Sequence, residues 1–322
     1  MRRLAALSAI LLAACSAQRG TDRVFVSDEA RSRVVVLDGL SGEVEGSFRT
    51  GGRPRGLALS PDKRTLYVAS GLGNHIEAWD VATLLKQREI GSGSDPERMA
   101  VSADGKTIYA ANEDAAAVSF VDVPSGQVTR QVPVSPEPEG VGISPDGKLL
   151  VATSEVASVA HFIDPANGAV LASLPVGGRP RAVLFLRGGR EVWVSSEQRG
   201  TISVFDAASR RLLHTIDLTA AFPDLDSVQA VEMHATRDGG RVFVAMGRGN
   251  RVAEIDPVTY RVARSFPTGE RTWGFGLAPD DSRLYAASGL SGDVTIVDLA
   301  RNAVTHTVRL GGKPWTALAV TR

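Results

Sequence analysis

Seven aspartates recur at nearly constant spacing along the whole chain. Five of the six intervals between them are 42 residues long, and one is 50 residues long. The seven are Asp38, Asp80, Asp122, Asp164, Asp206, Asp256 and Asp298. A fixed period near 40 residues is typical of propeller blades, each of which is one small sheet. The spacing therefore predicts an all-β fold, a seven-bladed β-propeller of four-stranded blades.

Each repeat contains four short apolar segments separated by turn residues. In one repeat the segments begin at Arg53, Thr65, His75 and Leu84, and they are rich in the aliphatic and aromatic residues that favour strands. The sequence Ser-Pro-Asp-Gly-Lys at 144–148 has close counterparts in other repeats and predicts a tight hairpin. We interpret the seven aspartates as capping residues for the turn into each fourth strand, and not as catalytic acids.

The two ends of the chain complement each other. The segment that starts at Arg23 aligns with a second strand of the repeat, and the segment from Pro314 to Val320 aligns with a first strand. Closing a ring of blades removes exposed sheet edges. We therefore expect the C-terminal strand to complete the N-terminal blade, so that residues 23–322 form one closed propeller.

The N-terminus differs from the repeats. Arg2 and Arg3 precede an apolar run, Leu4 to Ala14, that is too short to span a bilayer. The run ends at Leu12-Ala13-Ala14-Cys15, which resembles a bacterial lipobox, and Cys15 is the single cysteine of the chain.

The lipobox resemblance implies a lipoprotein signal peptide at 1–14, lipidation of Cys15 and a short tether at 15–22. The protein would then be anchored to a membrane facing the periplasm. Because Ser16 and not Asp follows the cysteine, the resemblance implies the outer membrane of a Gram-negative bacterium. A plain secretion signal is the alternative.

The balance of charges disfavours one class of partner. The chain has 36 basic and 36 acidic residues, whereas a nucleic-acid-binding domain carries a basic excess. The five histidines lie in different repeats and lack the spacing of zinc ligands. We expect no nucleic-acid partner, no metal, no cofactor and a monomeric protein.

Short strings within the repeats carry a resemblance to known families. Tyr67-Val68-Ala69-Ser70, Tyr109-Ala110-Ala111-Asn112 and Ser144-Pro145-Asp146-Gly147-Lys148 resemble the Tyr-Val-Thr-Asn family of β-propeller repeats. The strings at 136–140, 160–164, 192–197 and 249–252 are similar to the β-propeller proteins associated with pyrroloquinoline-quinone-dependent catabolism.

The narrower resemblance implies an exported protein that accompanies quinoprotein alcohol dehydrogenases. It does not imply a bound quinone. Those dehydrogenases have eight blades and a vicinal disulfide, whereas this chain has seven repeats and one cysteine.

One equivalent position in the repeats predicts a candidate site at the mouth of the central channel, where first strands begin. The residues at this position are Arg55, Glu97, Glu139, Arg181, Val231, Trp273 and Trp315, and their neighbours include Arg98, Glu232 and His234. Four loop glutamates are expected on the same face, namely Glu29, Glu113, Glu155 and Glu197. Arginine donors beside Trp faces suit a planar anion or a protein side chain. Mutual neutralisation of the charges and simple packing are the alternative.

Two functions follow as hypotheses. We favour a non-catalytic periplasmic scaffold that binds a protein or a small anionic partner at the channel mouth, within a quinoprotein oxidation system. The alternative is a lactonase-like hydrolase, because seven-bladed propellers of this repeat type resemble the lactonase family and an Arg/Glu/His cluster can polarise an ester carbonyl. The 50-residue interval places its extra residues near 218–226, where Phe222 and Leu225 are expected to form a lid or a partner contact.

Overall fold

A computed structural model describes residues 21–322, which form seven four-stranded antiparallel sheets. The predicted seven-bladed propeller is confirmed. The predicted signal peptide, Cys15 and most of the tether lie outside the described residues. Asp22, which was assigned to the tether, already belongs to the first strand, so the propeller begins one residue earlier than expected. Within the described part of the chain, no helix is long and apolar enough to cross a membrane.

The first strands of the repeats contact one another around the ring and form the wall of the central channel. They are β4 (Pro54–Leu59), β8 (Pro96–Val101), β12 (Pro138–Ile143), β16 (Pro180–Leu186), β20 (Met233–Ala235), β24 (Thr272–Leu277) and β28 (Pro314–Thr321). The repeat count placed the start of β20 near Val231, but the strand begins two residues later, at Met233.

The three remaining strands of each blade follow outward from the channel. The second strands are β1 (Asp22–Asp28), β5 (Thr65–Ser70), β9 (Thr107–Asn112), β13 (Leu150–Ser154), β17 (Glu191–Ser196), β21 (Val242–Ala245) and β25 (Arg283–Ser288). The third strands are β2 (Arg33–Asp38), β6 (His75–Asp80), β10 (Ala117–Asp122), β14 (Val159–Ile163), β18 (Thr201–Asp206), β22 (Arg251–Asp256) and β26 (Asp293–Asp298). The fourth strands are β3 (Val44–Arg49), β7 (Lys86–Gly91), β11 (Gln127–Pro133), β15 (Val170–Pro175), β19 (Leu212–Asp217), β23 (Arg261–Pro267) and β27 (Ala303–Arg309).

Blade 1 consists of β28 followed by β1, β2 and β3, and blades 2 to 7 follow in chain order. β28 pairs with β1 in antiparallel register, with Arg23 opposite Val320 and Phe25 opposite Leu318. The predicted ring closure by the C-terminal strand is thus confirmed. Strand pairing of this kind leaves no free edge at the seam.

The seven recurring aspartates cap turns, as predicted. Asp38 Oδ1 accepts hydrogen bonds from the backbone N–H groups of Leu40 at 2.9 Å and Ser41 at 2.8 Å. The other six aspartates accept backbone N–H groups two or three residues further on in the same way. This geometry is the Asx turn, so the strongest sequence signal reports structure and not chemistry.

The core lies between blades, because second and third strands are apolar on both faces. Tyr67, Ile76 and Ile90 of blade 2, for example, pack with Ile108 and Val121 of blade 3. Trp79 and Trp193, which are 7% and 0% exposed, belong to this core. Fourth strands are largely exposed.

The insertion packs inward. The short helix α1 (Leu218–Ala221) is capped by Asp217, which accepts the N–H groups of Thr219 and Ala220. Leu218 is fully buried, and Phe222 and Leu225 pack against the cluster shared by blades 5 and 6. These half-buried side chains fill part of the gap between two blades, and the lid or partner contact stays a prediction.

Candidate functional site

We call the end of the ring at which the first strands begin the upper face, and the end at which they finish the lower face. Six first strands carry a bulge or register shift just inside the upper face, at Pro54/Leu57, Pro96/Met99, Pro138/Val141, Pro180/Val183, Thr272/Gly274 and Pro314/Ala317. Successive side chains of a regular strand point to opposite faces, whereas a bulge re-aims them. This irregularity allows adjacent residues to reach different partners: Glu97 pairs with Arg55 of the neighbouring blade, and Arg98 pairs with Glu232 across the channel.

The first ionic cluster joins blades 1, 2 and 3. Arg55 lies 2.7 Å from Glu97 and 3.1 Å from Glu29. Arg53 lies 2.5 Å from Glu97, 3.0 Å from Glu113 and 2.8 Å from Asp95. Two arginines thus hold four carboxylates together.

The second ionic cluster is centred on Arg181. Its guanidinium lies 2.8 Å from Glu139, 2.5 Å from Glu155 and 2.6 Å from Glu197. Arg179 pairs with Glu155 at 2.7 Å, and Arg271 pairs with Glu197 at 2.9 Å. The expectation that the four loop glutamates share the channel-mouth face is confirmed by their contacts in the two clusters.

The faces of the two predicted tryptophans, Trp273 and Trp315, are covered by arginine side chains. The Arg271 guanidinium lies 4.0 Å from the Trp273 ring centroid, and that of Arg181 lies 5.5 Å from it. The Arg98 guanidinium lies 4.6 Å from the centroid of Trp315. Such cation–π contacts use the ring faces that a ligand was expected to occupy.

We call the two clusters together the charged plug. It comprises Arg53, Arg55, Arg179, Arg181 and Arg271 with Glu29, Asp95, Glu97, Glu113, Glu139, Glu155 and Glu197. These contacts agree with the alternative left open by the sequence, in which the charges neutralise one another. Glu97 is 0% exposed, Glu139 is 2% and Arg181 is 4%. The forked donors expected to receive a ligand already bind carboxylates.

Four members of the charged plug were missed by the sequence prediction, namely Arg53, Asp95, Arg179 and Arg271. Each lies immediately before a first strand and has a positive φ of 53 to 57°, or 49° for Arg53. Non-glycine residues adopt this conformation only when the surroundings impose it. The signal was present in the sequence, because all four occupy one equivalent position of the repeat. That position lies two residues before the one that Arg55 occupies.

Carboxylates outnumber arginines in the charged plug, and this changes their acidity. Burial raises the pKa of Glu155 to about 7, because Arg181 offsets it only in part while Glu139 and Glu197 add to it. Burial and the neighbouring Glu139 also raise the pKa of Glu97, although Arg55 lowers it. Arg179 also lowers the pKa of Glu155, but together with Arg181 it does not offset burial and the two neighbouring carboxylates.

A cavity of about 190 Å³ lies in the channel beneath the charged plug. Its polar wall consists of Arg98, Glu232, His234 and Thr316, and its apolar wall includes Leu57, Met99, Val141, Val183 and Leu184. A second cavity of about 260 Å³ shares Leu57, Glu232, His234 and Thr316 with the first and extends past Leu277 and Leu318 toward the lower face. The channel is thus filled at its upper end and accessible from its lower end.

Glu232 organises the polar wall. Its carboxylate lies 2.7 Å from Arg98 and 3.2 Å from His234 Nε2, and it accepts a 2.7 Å hydrogen bond from the Thr316 hydroxyl. Burial would raise the pKa of Glu232, but Arg98, His234 and Thr316 lower it to about 2. A side chain at Gly274 would place its Cβ 2.0 Å from this carboxylate, so only glycine admits the contact.

His234 and Arg98 have bonding capacity that other side chains do not use. Within the described residues His234 Nδ1 makes no hydrogen bond, and Nε2 is held by Glu232. Arg98 Nε and Nη2 are buried without a hydrogen-bond partner in the described part of the chain. The predicted residues Arg98, Glu232 and His234 therefore form a compact polar group, separate from the charged plug.

Two further groups bring carboxylate or imidazole ligand atoms within 4.8 Å of one another, namely His75 with Glu77 and Glu89, and Asp95 with Glu97 and Glu113. The second group already surrounds the Arg53 guanidinium. His161 and His214 serve other roles, since His161 bonds Ser173 and His214 stacks on Tyr260.

Seven sheets, a closed ring and matching family models together decide the class of the protein. The chain is a β-propeller. The family model described as outer membrane protein assembly factor BamB matches residues 114–273, and the seven-bladed β-propeller lactonase model matches residues 12–170. No curated protein matches the sequence significantly.

Several solved structures share the fold. The periplasmic gluconolactonase PpgL of Pseudomonas aeruginosa is 21% identical, with a TM-score of 0.78 over 93% of this chain and 99% of that chain. The hydrazine synthase of Kuenenia stuttgartiensis is 22% identical, with a TM-score of 0.71 over 82% and 88% of the two chains. A functionally unknown protein of Desulfotomaculum acetoxidans is 13% identical, with a TM-score of 0.76 over 93% and 99%.

Proposed function

We propose that the protein is a non-catalytic periplasmic lipoprotein that binds a small organic anion in its channel, beside a quinoprotein alcohol-oxidation system. The observation that carries this proposal is the cavity of about 190 Å³ beneath the charged plug. Small-molecule sites are typically concave and mostly apolar, with a few convergent polar groups. This cavity is concave and has convergent polar groups facing an apolar wall, and polar atoms form about half of its lining.

The chemistry of the polar wall favours a carboxylate ligand. Arg98 supplies a permanent positive charge, and the imidazole of His234 supplies a second one when it is protonated. Glu232 balances one of these charges, so a singly charged ligand is better accommodated than a dianion. The apolar wall suits the carbon skeleton of a small acid, such as the product of alcohol oxidation.

The position of the site differs from the sequence prediction. Arg55, Arg181, Trp273 and Trp315 bind each other and the plug carboxylates, so the channel is a better candidate than the upper face for a small ligand. A protein partner on the upper face is the competing location. Exposed Leu72, Val156 and Leu290 lie in loops there.

A pair of tryptophan variants separates the two locations. Leu57→Trp fills the channel cavity, whereas Leu72→Trp adds the same side chain to the upper face. Calorimetric titration with a series of short carboxylates and the alcohols of equal length should show binding to wild type and Leu72→Trp, and none to Leu57→Trp. Equal binding to both variants, or preference for the alcohols, contradicts the channel site. Thermal melting of both variants controls for folding.

Membrane anchorage is part of the same proposal. Thr21 accepts a hydrogen bond from the backbone of Arg322, at the lower end of β28. The six residues from Ser16 to Thr21 span at most about 20 Å when extended. A lipid on Cys15 would therefore hold the lower face, and the accessible end of the channel, close to the membrane. Cys15→Ala should leave the membrane fraction, and a free thiol at Cys15 in exported protein contradicts lipidation.

Lactone hydrolysis is the second candidate, favoured by the contact of Glu232 with His234. Glu232 fixes Nε2, which leaves Nδ1 as a base able to take a proton from water. The match to the lactonase model supports testing it. Hydrolysis of simple lactones by wild type, and its loss in His234→Gln, would replace the binding function by an enzymatic one.

A further inference from the structure

Blade 2 carries an imidazole and two carboxylates that converge on its outer strands. His75 and Glu77 lie on β6, and Glu89 lies opposite Glu77 on β7. His75 Nε2 is 3.3 Å from Glu77 Oε1 and 3.9 Å from Glu89 Oε1. The group is remote from the channel and takes no part in the proposed ligand site.

The three ligand atoms lie within 4.8 Å of one another, and one of their separations is that of a transition-metal shell. Zinc binds nitrogen and oxygen ligands at roughly 2.0–2.2 Å, so neighbouring ligand atoms of a tetrahedral site are about 3.3 Å apart. His75 and Glu77 have this separation. Glu89 is 55% exposed along its side chain, so it is free to close the remaining distance.

The histidine is oriented by a group outside the cluster. His75 Nδ1 lies 2.8 Å from the carbonyl oxygen of Gly73. A carbonyl can only accept, so Nδ1 donates to it, and Nε2 is the ring nitrogen that faces the two carboxylates; a metal ion bound at Nε2 would replace the proton that Nε2 donates to Glu77. Metal-binding histidines are commonly fixed in this way. Glu77 is likewise held, because its oxygens accept from the N–H of Gly51 and from Trp79 Nε1.

The blade fold does not require these side chains. At the positions equivalent to Glu77 and Glu89, other blades carry Ser119 with Gln131, Ser203 with Thr215, and Thr295 with Thr307. A cross-strand carboxylate pair is unfavourable unless a cation joins it. In this structure the ammonium group of Lys86 is the cation between the two carboxylates, 2.7 Å from Glu89 and 3.7 Å from Glu77.

We propose that His75, Glu77 and Glu89 bind a divalent transition-metal ion of the zinc type, with Lys86 displaced and water completing the shell. Imidazole and carboxylate ligands suit zinc and cobalt, and the two negative charges balance the ion. Lys86 is 40% exposed along its side chain, so it can leave without unfolding the blade. The bound ion would clamp the outermost strand of blade 2 to its neighbour.

The test is titration of the metal-free full-length protein with Co²⁺, followed by absorption, and with Zn²⁺, followed by calorimetry. Wild type should bind one equivalent. Glu89→Gln and His75→Ala should weaken binding by on the order of 100-fold, and Lys86→Met should strengthen it about 10-fold by removing the competing ammonium group. His306→Ala removes an exposed histidine on another blade and should change nothing.

Each outcome decides the proposal. Absence of binding in Lys86→Met, or binding of equal strength in Glu89→Gln, overturns it. A near-ultraviolet thiolate-to-cobalt band assigns the metal to Cys15 and overturns it as well. Ligand binding in the channel should be the same with and without metal, so this test is independent of the proposed function.

Discussion

Replacing Glu155 by Gln should stabilise the protein at alkaline pH and have little effect in mild acid. Glu155 is buried and lies 2.5 Å from Arg181, which also contacts Glu139 and Glu197. Arg181 is shared among three carboxylates, and the other cation beside Glu155, Arg179 at 2.7 Å, has a side chain that is 44% exposed. Glu155 therefore pays the desolvation cost of ionisation without a full counter-charge.

The magnitude follows from the difference between the folded and unfolded pKa. The pKa of Glu155 is raised from 4.5 to about 7 in the folded chain, first by burial and then by Glu139. Folding therefore takes up a proton between these two pH values, and wild-type stability falls as pH rises through the window. A shift of this size corresponds to about 3 kcal/mol. Gln has no proton to lose, so the variant escapes that loss.

Urea denaturation of wild type and Glu155→Gln at pH 5 and pH 8 measures the effect. The variant should gain about 2–3 kcal/mol relative to wild type between the two pH values. Glu43→Gln, at an exposed loop position, is the matched control and should show no such pH dependence. If the stability difference between wild type and Glu155→Gln is the same at both pH values, Glu155 is fully ionised throughout and the argument from shared charge is wrong.

Three further outcomes follow from the contacts. Deleting residues 312–322 removes β28, in which Trp315 and Val320 are each 2% exposed, and should cost several kcal/mol of stability; an unchanged melting temperature would contradict ring closure. Arg181→Ala leaves buried carboxylates unpaired and should cost about 3–5 kcal/mol, whereas a loss below 1 kcal/mol would show that Arg181 does not compensate the plug carboxylates. The low pKa of Glu232 contributes stability above about pH 4.5 that is lost as pH falls toward about 2. Glu232→Gln should therefore lose about 3 kcal/mol less stability than wild type over this pH range. An equal loss in both proteins would show that Arg98 does not stabilise the carboxylate.

Much of the architecture is readable from local chemistry alone. The spacing of the aspartates reports blade number, because each one caps the same turn through its own neighbouring backbone. Ring closure is readable for a similar reason, since Pro314 to Val320 and the segment from Arg23 carry the patterns of first and second strands. These features depend on interactions within one repeat or one strand pair.

The state of the channel mouth depended on contacts between repeats. Sequence counting placed Arg55, Glu97, Glu139 and Arg181 in one ring, but it gave no distances across the ring. Whether such residues are solvated or paired depends on bulges, on the positive φ of Arg53 and Arg179, and on how closely seven first strands approach. The same reason explains why the sequence did not reveal where Phe222 and Leu225 pack. They are apolar, but only the folded ring shows that they lie in the gap between blades 5 and 6.

The sequence by itself thus determined the number of blades, the turns, the closure of the ring and the residues that gather around the channel. Only the tertiary structure decided that Arg181 and Glu139 form a buried plug, and that Arg98, Glu232 and His234 line a separate cavity beneath it. The physical reason is the distance along the chain between the residues that interact. Turns and strand patterns come from interactions a few residues apart, whereas Arg98 and Glu232, 134 positions apart in the chain, meet only when the ring has closed.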